Sequence, residues 1–169
     1  MAAVTSELIK ELRERTAAGM LDCKKALTEC DGDMDAAIDW LRKKGLSAAA
    51  KKSGRTATEG TITIELSADN KKATISEVNC ETDFVGQNEN FIEFCATTTA
   101  HIHTSGIKNV DELLASTING NAFSDHLSVT ISKIGENIVV RRFAEVSVGE
   151  NGSVSAYKHA NGKIGVIVA

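Results

Sequence analysis

The chain has 169 residues and a formal net charge of −4, with 42% hydrophobic and 25% charged residues, which suits one or two small domains able to bury roughly 70% of their unfolded surface. Its longest apolar runs fall well short of the roughly 20 residues a membrane helix needs, and MAAVTSELIKELRERT lacks the apolar core of a secretion signal, so a cytoplasmic protein without a membrane partner is expected. Residues 1–55 hold 11 Lys and Arg against 9 Asp and Glu, and residues 56–169 hold 8 against 14, a balance that argues against a nucleic-acid binder.

The first 44 residues read as three short helices. Val4, Leu8 and Leu12, widened by Ile9, form one apolar stripe; Met20, Cys23 and Leu27 form a second; Met34, Ala37, Ile38 and Leu41 form a third. Thr16 to Gly19 and Cys30 to Asp33 break them, and Asp33 is placed to cap the third helix, with Asp35 favoured by the dipole of its first turn. Gly45 to Thr58 is small, polar and basic and reads as a linker, with Ala48–Lys52 able to add a helical turn or two.

Beyond the linker the period changes from 3.6 to 2. Ile62, Ile64 and Leu66 alternate with Thr and Glu, a turn follows at Ala68 to Lys71, and Ala73, Ile75 and Val78 return as a second strand. Asn88 can cap a helix whose Phe91, Cys95 and Ile102 share a face, although Thr97–Thr99 weaken it. A short helix is expected over 110–116. Phe123 to Ile134 fits either period, and the longer helical set, closed by Gly135, favours a helix. Strands are expected at 138–146, 153–159 and 164–168, with Asn151-Gly152 and Asn161-Gly162 as tight-hairpin signals. The sum is an α+β protein, an antiparallel sheet with helices on one side, organised as a helical bundle (1–44), a linker (45–58) and a core (59–169).

The four cysteines have no metal-knuckle spacing and read as reduced structural thiols. His101-x-His103 would share a face on a strand, but falls at the end of a helix. No phosphate loop, nucleophile elbow or metal motif organises the acids and histidines, so neither an enzyme nor a cofactor is expected. Lys43, Lys44, Lys51, Lys52 and Arg55 cluster without interleaved aromatics, and read as a solvated or partner-facing hinge. Phe84 is harder to place. It follows a strand, beside Asp83 and before a Gly-Gln-Asn break, so its ring either anchors the core or points outward.

Four collinear stretches carry a resemblance. Leu12-Arg13, Thr16, Gly19-Met20 and Lys24-Lys25-Ala26-Leu27 resemble the N-terminal signature of the translation elongation factor Ts family. Glu77-Val78-Asn79-Cys80-Glu81-Thr82-Asp83-Phe84-Val85 resembles its second signature, and Lys133 to Ile138 and Tyr157-Lys158-His159 with Ile164-Gly165-Val166 resemble two further stretches. Ala17 stands where that family usually has glycine or a small polar residue, and Gly86-Gln87 replace its usual small residue and base. The chain looks like the N-terminal portion of a longer factor.

The resemblance implies a guanine-nucleotide exchange factor for the GTPase elongation factor Tu. It implies that residues 1–44 form a ubiquitin-associated-like (UBA-like) bundle resting on the partner's nucleotide domain, through Met20, Leu21 and Lys24. It implies that the Thr82-Asp83-Phe84-Val85 loop enters a pocket near the partner's magnesium and phosphate site. Ile134, Gly135 and His159 follow as supporting contacts, and Lys52 as a peripheral one. Of Met20 and Leu21, one is expected in the core and the other exposed, and Asp83 could instead cap the turn. A final strand with an unpaired edge would favour self-association of the short chain.

Overall fold

The computed structural model describes residues 4–16 and 18–169; Ala17, where the sequence departs from the family pattern, lies outside them. The chain divides into two units, one built from the chain up to Gly54 together with Ser124–Gly135, the other from Arg55–Phe123 and Glu136–Ala169.

The first unit is helical. Its first three helices are α1 (Ser6–Thr16), α2 (Met20–Glu29) and α3 (Met34–Lys52). Leu12, Cys23, Ala26, Leu27, Ala37 and Leu41 form the core, with Val4, Leu8, Ile9, Met34 and Ile38 packed around them. The predicted stripes are therefore the buried ones, with one exception. Met20 is 60% exposed and Leu21 83% exposed, so neither enters the core, and Ala26 fills the place beside Cys23 and Leu27. Asp33 caps α3, its carboxylate accepting from the Ala36 amide at 2.8 Å.

Helix α3 runs to Lys52, through the first part of the stretch read as a linker. Two causes are visible. Ala48–Ala50 are strong helix formers, and Gly45, costly inside most helices, is held by packing. A Cβ there would come within 3.3 Å of the backbone at Ser128 and Val129, so only glycine lets the two segments meet without one of them giving way. Those two residues belong to α7 (Phe123–Ile134), the helix chosen over a strand from the sequence, and Val129 packs against the core of this unit. Gly135 ends α7 at φ 87, as expected of an αL stop.

The second unit is α+β. An antiparallel sheet in the order β1 (Glu59–Leu66), β2 (Lys72–Cys80), β5 (Val139–Ser147) forms its centre. Alternate residues of β2 face the helix α5 (Glu89–Ser105), where Ser76 Oγ pairs with Thr99 Oγ1 at 2.7 Å and Thr74 Oγ1 with His103 Nδ1 at 2.9 Å. Val78 and Cys80 complete this buried face. Thr97–Thr99 do not break α5, because Thr98 and Thr99 are buried and Thr99 returns its hydroxyl proton to the Cys95 carbonyl at 2.8 Å. Phe91, Phe94 and Phe123 are buried, and Phe143 is half-buried.

The opposite face carries Ile62, Ile64 and Ile75, against which Gly165 sits so closely that a Cβ would meet all three side chains. Gly165 opens β7 (Gly165–Val168), which pairs with β6 (Ser155–Lys158) in a separate two-stranded sheet. Asn151-Gly152 is thus a turn between different sheets and not a tight hairpin. Asn161-Gly162 does lie in a hairpin, but the loop runs from His159 to Ile164 and is longer than two residues. A small hairpin of β3 (Thr117–Ile118) and β4 (Asn121–Ala122) follows the short helix α6 (Val110–Ala115), turned by Asn119 (φ 50) and Gly120 (φ 81). Its Asn-Gly signal stands plainly in the sequence.

Candidate functional site

Strand β2 and helix α5 are both anchored in the core of their unit, by Val78 and Cys80 on one side and Phe91 on the other. The residues joining them wind into a single helical turn, α4 (Asp83–Gly86). Thr82 caps it, its hydroxyl oxygen accepting from the Val85 amide at 3.3 Å. The cap is therefore Thr82, while Asp83 opens the turn and accepts from the Phe84 amide at 3.0 Å. Gln87 closes α4, and Asn88 caps α5 directly after it.

This turn has an inner and an outer side. Gly86 lies inward, where a Cβ would touch the Gly60 backbone at 3.6 Å and the Cys80 sulfur at 3.9 Å, and Val85 is half-buried. Asp83 and Phe84 lie outward. Phe84 is 83% exposed, the most exposed aromatic ring in the described residues. Cys80 holds the base of the turn by donating its thiol proton to the Thr82 carbonyl at 3.2 Å. Burial, reinforced by the Glu136 carboxylate, pushes that thiol up to about 11, so it remains a donor at neutral pH.

Two carboxylates lock the turn from below. Glu136 Oε2 accepts from the backbone amides of Glu81 and Thr82, each at 3.0 Å, while Glu136 Oε1 accepts the Thr82 hydroxyl proton at 2.6 Å. Glu81 answers in the other direction. Its Oε1 accepts from the Asn137 amide at 2.6 Å and faces Arg55 Nη1 at 3.5 Å, and Asn137 donates its side-chain amide to the Arg55 carbonyl at 2.8 Å. None of Glu81, Glu136 and Asn137 was singled out from the sequence. Each lies inside a stretch that carries the family resemblance, and that position was the available signal.

The other nominated residues fall in several places. His159 lies in the β6–β7 hairpin, exposed, with its Nδ1 at 2.8 Å from the Tyr157 hydroxyl. Met20, Leu21 and Lys24 are together on the exposed face of α2, opposite Cys23, Ala26 and Leu27. Gly19 and Lys133 line one shallow hollow of the helical unit with Asp22 and Lys44, so Met20-Leu21 and Ile134-Gly135 both follow directly from its rim. Ile134 is half-buried and Gly135 exposed; Lys52, the last residue of α3, is half-buried. His101 and His103 have different partners, Ser116 and Thr74, so they do not form a pair.

The family description "Elongation factor TS" matches residues 81–169, from the carboxylate beneath the turn to the last strand. The chain belongs to the elongation factor Ts family. It is 53% identical to an elongation factor Ts of Campylobacter concisus over 98% of this chain and 47% of that protein. It is 54% identical to one of Nitratiruptor over 99% of this chain and 55% of the relative, and 50% identical to one of Nautilia profundicola over 100% and 55%. The chain thus spans about half the length of the elongation factor Ts sequences it matches. The family match takes in Thr82–Val85, Glu136 and His159, and the relatives' similarity extends to the helical unit as well.

Proposed function

We propose that this chain is a guanine-nucleotide exchange factor for elongation factor Tu, acting in the cytoplasm, and that it promotes GDP release by inserting Thr82-Asp83-Phe84-Val85 near the partner's magnesium and phosphate site. The observation that carries this reading is the 83% exposure of Phe84 on a capped turn in a chain of this family. Burying a phenyl ring is favourable by about 1.5–3 kcal/mol, and a ring held in water keeps that free energy for a partner's pocket. Rigid aromatic anchors of this kind are typical interface hot spots.

No catalytic side chain is required. A ligand shifts a GTPase only by its differential affinity for two states, and a ring that wedges open the state with weakened magnesium binding supplies that difference. Linkage then makes bound GDP weaken the factor's affinity by the same ratio. In this reading the N-terminal helices form a UBA-like bundle that meets the nucleotide domain through Met20, Leu21 and Lys24, whose exposure on α2 leaves them available. Ile134, Gly135, His159 and Lys52 add supporting contacts, and the second, acidic unit presents the turn.

Release of a fluorescent GDP analogue from elongation factor Tu, with and without this chain, tests the reading. Acceleration that saturates with chain concentration is expected, together with weaker binding of the chain to the GDP-loaded partner. A release rate that the chain leaves unchanged overturns it.

A further inference from the structure

We propose that Glu136 is a positioning residue for Phe84: its carboxylate fixes the capped turn that holds the ring outward, without touching the partner itself. The inference rests on the exchange reading above for its consequence, but its geometric content stands alone. Glu136 spends both oxygens on one short stretch, two backbone amides on Oε2 and the Thr82 hydroxyl on Oε1. The Thr82 hydroxyl has one proton. With that proton committed to Glu136, its oxygen is left to accept from the Val85 amide, a cap that works beside the backbone bond from the Gly86 amide to the Thr82 carbonyl at 3.1 Å in closing the turn around Phe84.

A chain of hydrogen bonds therefore runs from Glu136 through Thr82 to Val85, and each link sets the direction of the next. The arrangement is one-way. Glu136 aims Thr82, and Thr82 aims the turn; the bonds within the turn and the Cys80 thiol on the Thr82 carbonyl shape it, but a helical turn of four residues is too short to persist on them alone. Glu81 and Asn137 keep the Glu136 segment in register with the end of β2, through the 2.6 Å bond from the Asn137 amide. The acid in the Lys133–Ile138 stretch thereby has a role that its neighbours Ile134 and Gly135 do not share.

Amide hydrogen exchange by NMR and GDP-release kinetics together test this, using the full chain and its Glu136→Ala and Thr82→Val variants. In the unmodified chain the amides of Glu81, Thr82 and Val85 are expected to exchange slowly, and in Glu136→Ala they are expected to exchange at least 10-fold faster, with the β1–β2 amides unchanged. At saturating chain, Glu136→Ala should lower the maximal GDP-release rate about 10- to 100-fold, because misplacing a positioned group by about 1 Å costs on that order. The half-saturating concentration should stay within about two-fold, since other contacts supply the binding. Thr82→Val, which keeps the shape and removes the hydroxyl, should free the Val85 amide while leaving Glu81 protected, and Glu136→Ala added to Phe84→Ala should cost nothing further.

Unchanged protection of the three amides in Glu136→Ala overturns the proposal. So does freed amide exchange with a release rate within two-fold of the unmodified chain. If the unmodified chain does not accelerate GDP release at all, the exchange reading fails, and the amide protection still decides whether Glu136 holds the turn.

Discussion

Phe84 and Phe91 flank one short connection, and the fold treats them oppositely: Phe84 is 83% exposed and Phe91 is fully buried. The buried ring anchors α5 against the sheet, which fixes one end of the turn that carries the exposed ring. Phe91→Ala is expected to destabilise the protein by about 3–5 kcal/mol through the lost burial and the cavity it leaves. Phe84→Ala should change stability by less than about 0.5 kcal/mol, as surface substitutions do. Urea denaturation of the two variants checks the contrast, and comparable losses would show that Phe84 belongs to the core.

Gly60 is the tightest point beneath the turn. It has φ +141, and a Cβ there would stand 2.1 Å from the Val78 carbonyl oxygen, a backbone atom of the paired strand. Gly60→Ala is expected to cost about 1–3 kcal/mol from the backbone conformation alone, with the clash adding to it. An unchanged denaturation midpoint would contradict this placement of β1 on β2.

Much of this architecture is legible in the residues. The apolar stripes of α1–α3, the Asp33 and Asn88 caps and the β1–β2 alternation are local patterns, and local patterns survive into the fold. What the sequence hides is tertiary. Gly45 and the alanines after it look like a linker until α7 packs so close to that glycine that an added Cβ would stand 3.3 Å from its backbone. Thr74 and Ser76 look solvent-facing until α5 brings hydroxyl and imidazole partners to them. Met20 fits the helical period of a core residue, yet lies exposed beside Leu21, because periodicity gives a face and not the edge of the burial. At the candidate site, Phe84 could be read either way from its neighbours. The Glu136 clamp, spanning 54 residues of sequence to Thr82, could not be read at all.

The four cysteines are free, with Cys23, Cys80 and Cys95 buried and Cys30 half-buried. Burial pushes Cys95 up to about 12 and Cys80 up to about 11. Since the thiolate is the reacting form, Ellman's reagent at mildly alkaline pH should label Cys30 first in the native protein. Cys95 should react on the order of 100-fold or more slowly than in a urea-unfolded control, where all four react alike. Rapid labelling of Cys95 in the native state would contradict its burial on the core-facing side of α5.

His101 gives the fold a pH dependence of defined sign. Burial lowers its pKa below the ordinary value, and its neutral ring is held by Ser116 at 2.9 Å and Ser105 at 3.1 Å while stacking on Phe123. The unfolded chain takes up a proton below about pH 6.5 that the folded chain resists, so this contribution is present above that pH and is lost as pH falls towards the folded pKa. Urea midpoints measured from about pH 7.5 down to about pH 5 should decline, and His101→Gln should flatten that part of the decline. A slope unaffected by the substitution would assign the pH dependence to other groups.

The claim at the centre is that Phe84 stands outward to enter a cavity of elongation factor Tu. The most direct measurement is the maximal rate of fluorescent-GDP release from that partner with the Phe84→Ala chain, compared with the unmodified chain at equal saturation. A hot-spot anchor is worth about 2 kcal/mol or more, so the account predicts a fall of about 30-fold with the melting temperature unchanged. A Phe84→Ala chain that releases GDP as fast as the unmodified protein would contradict it.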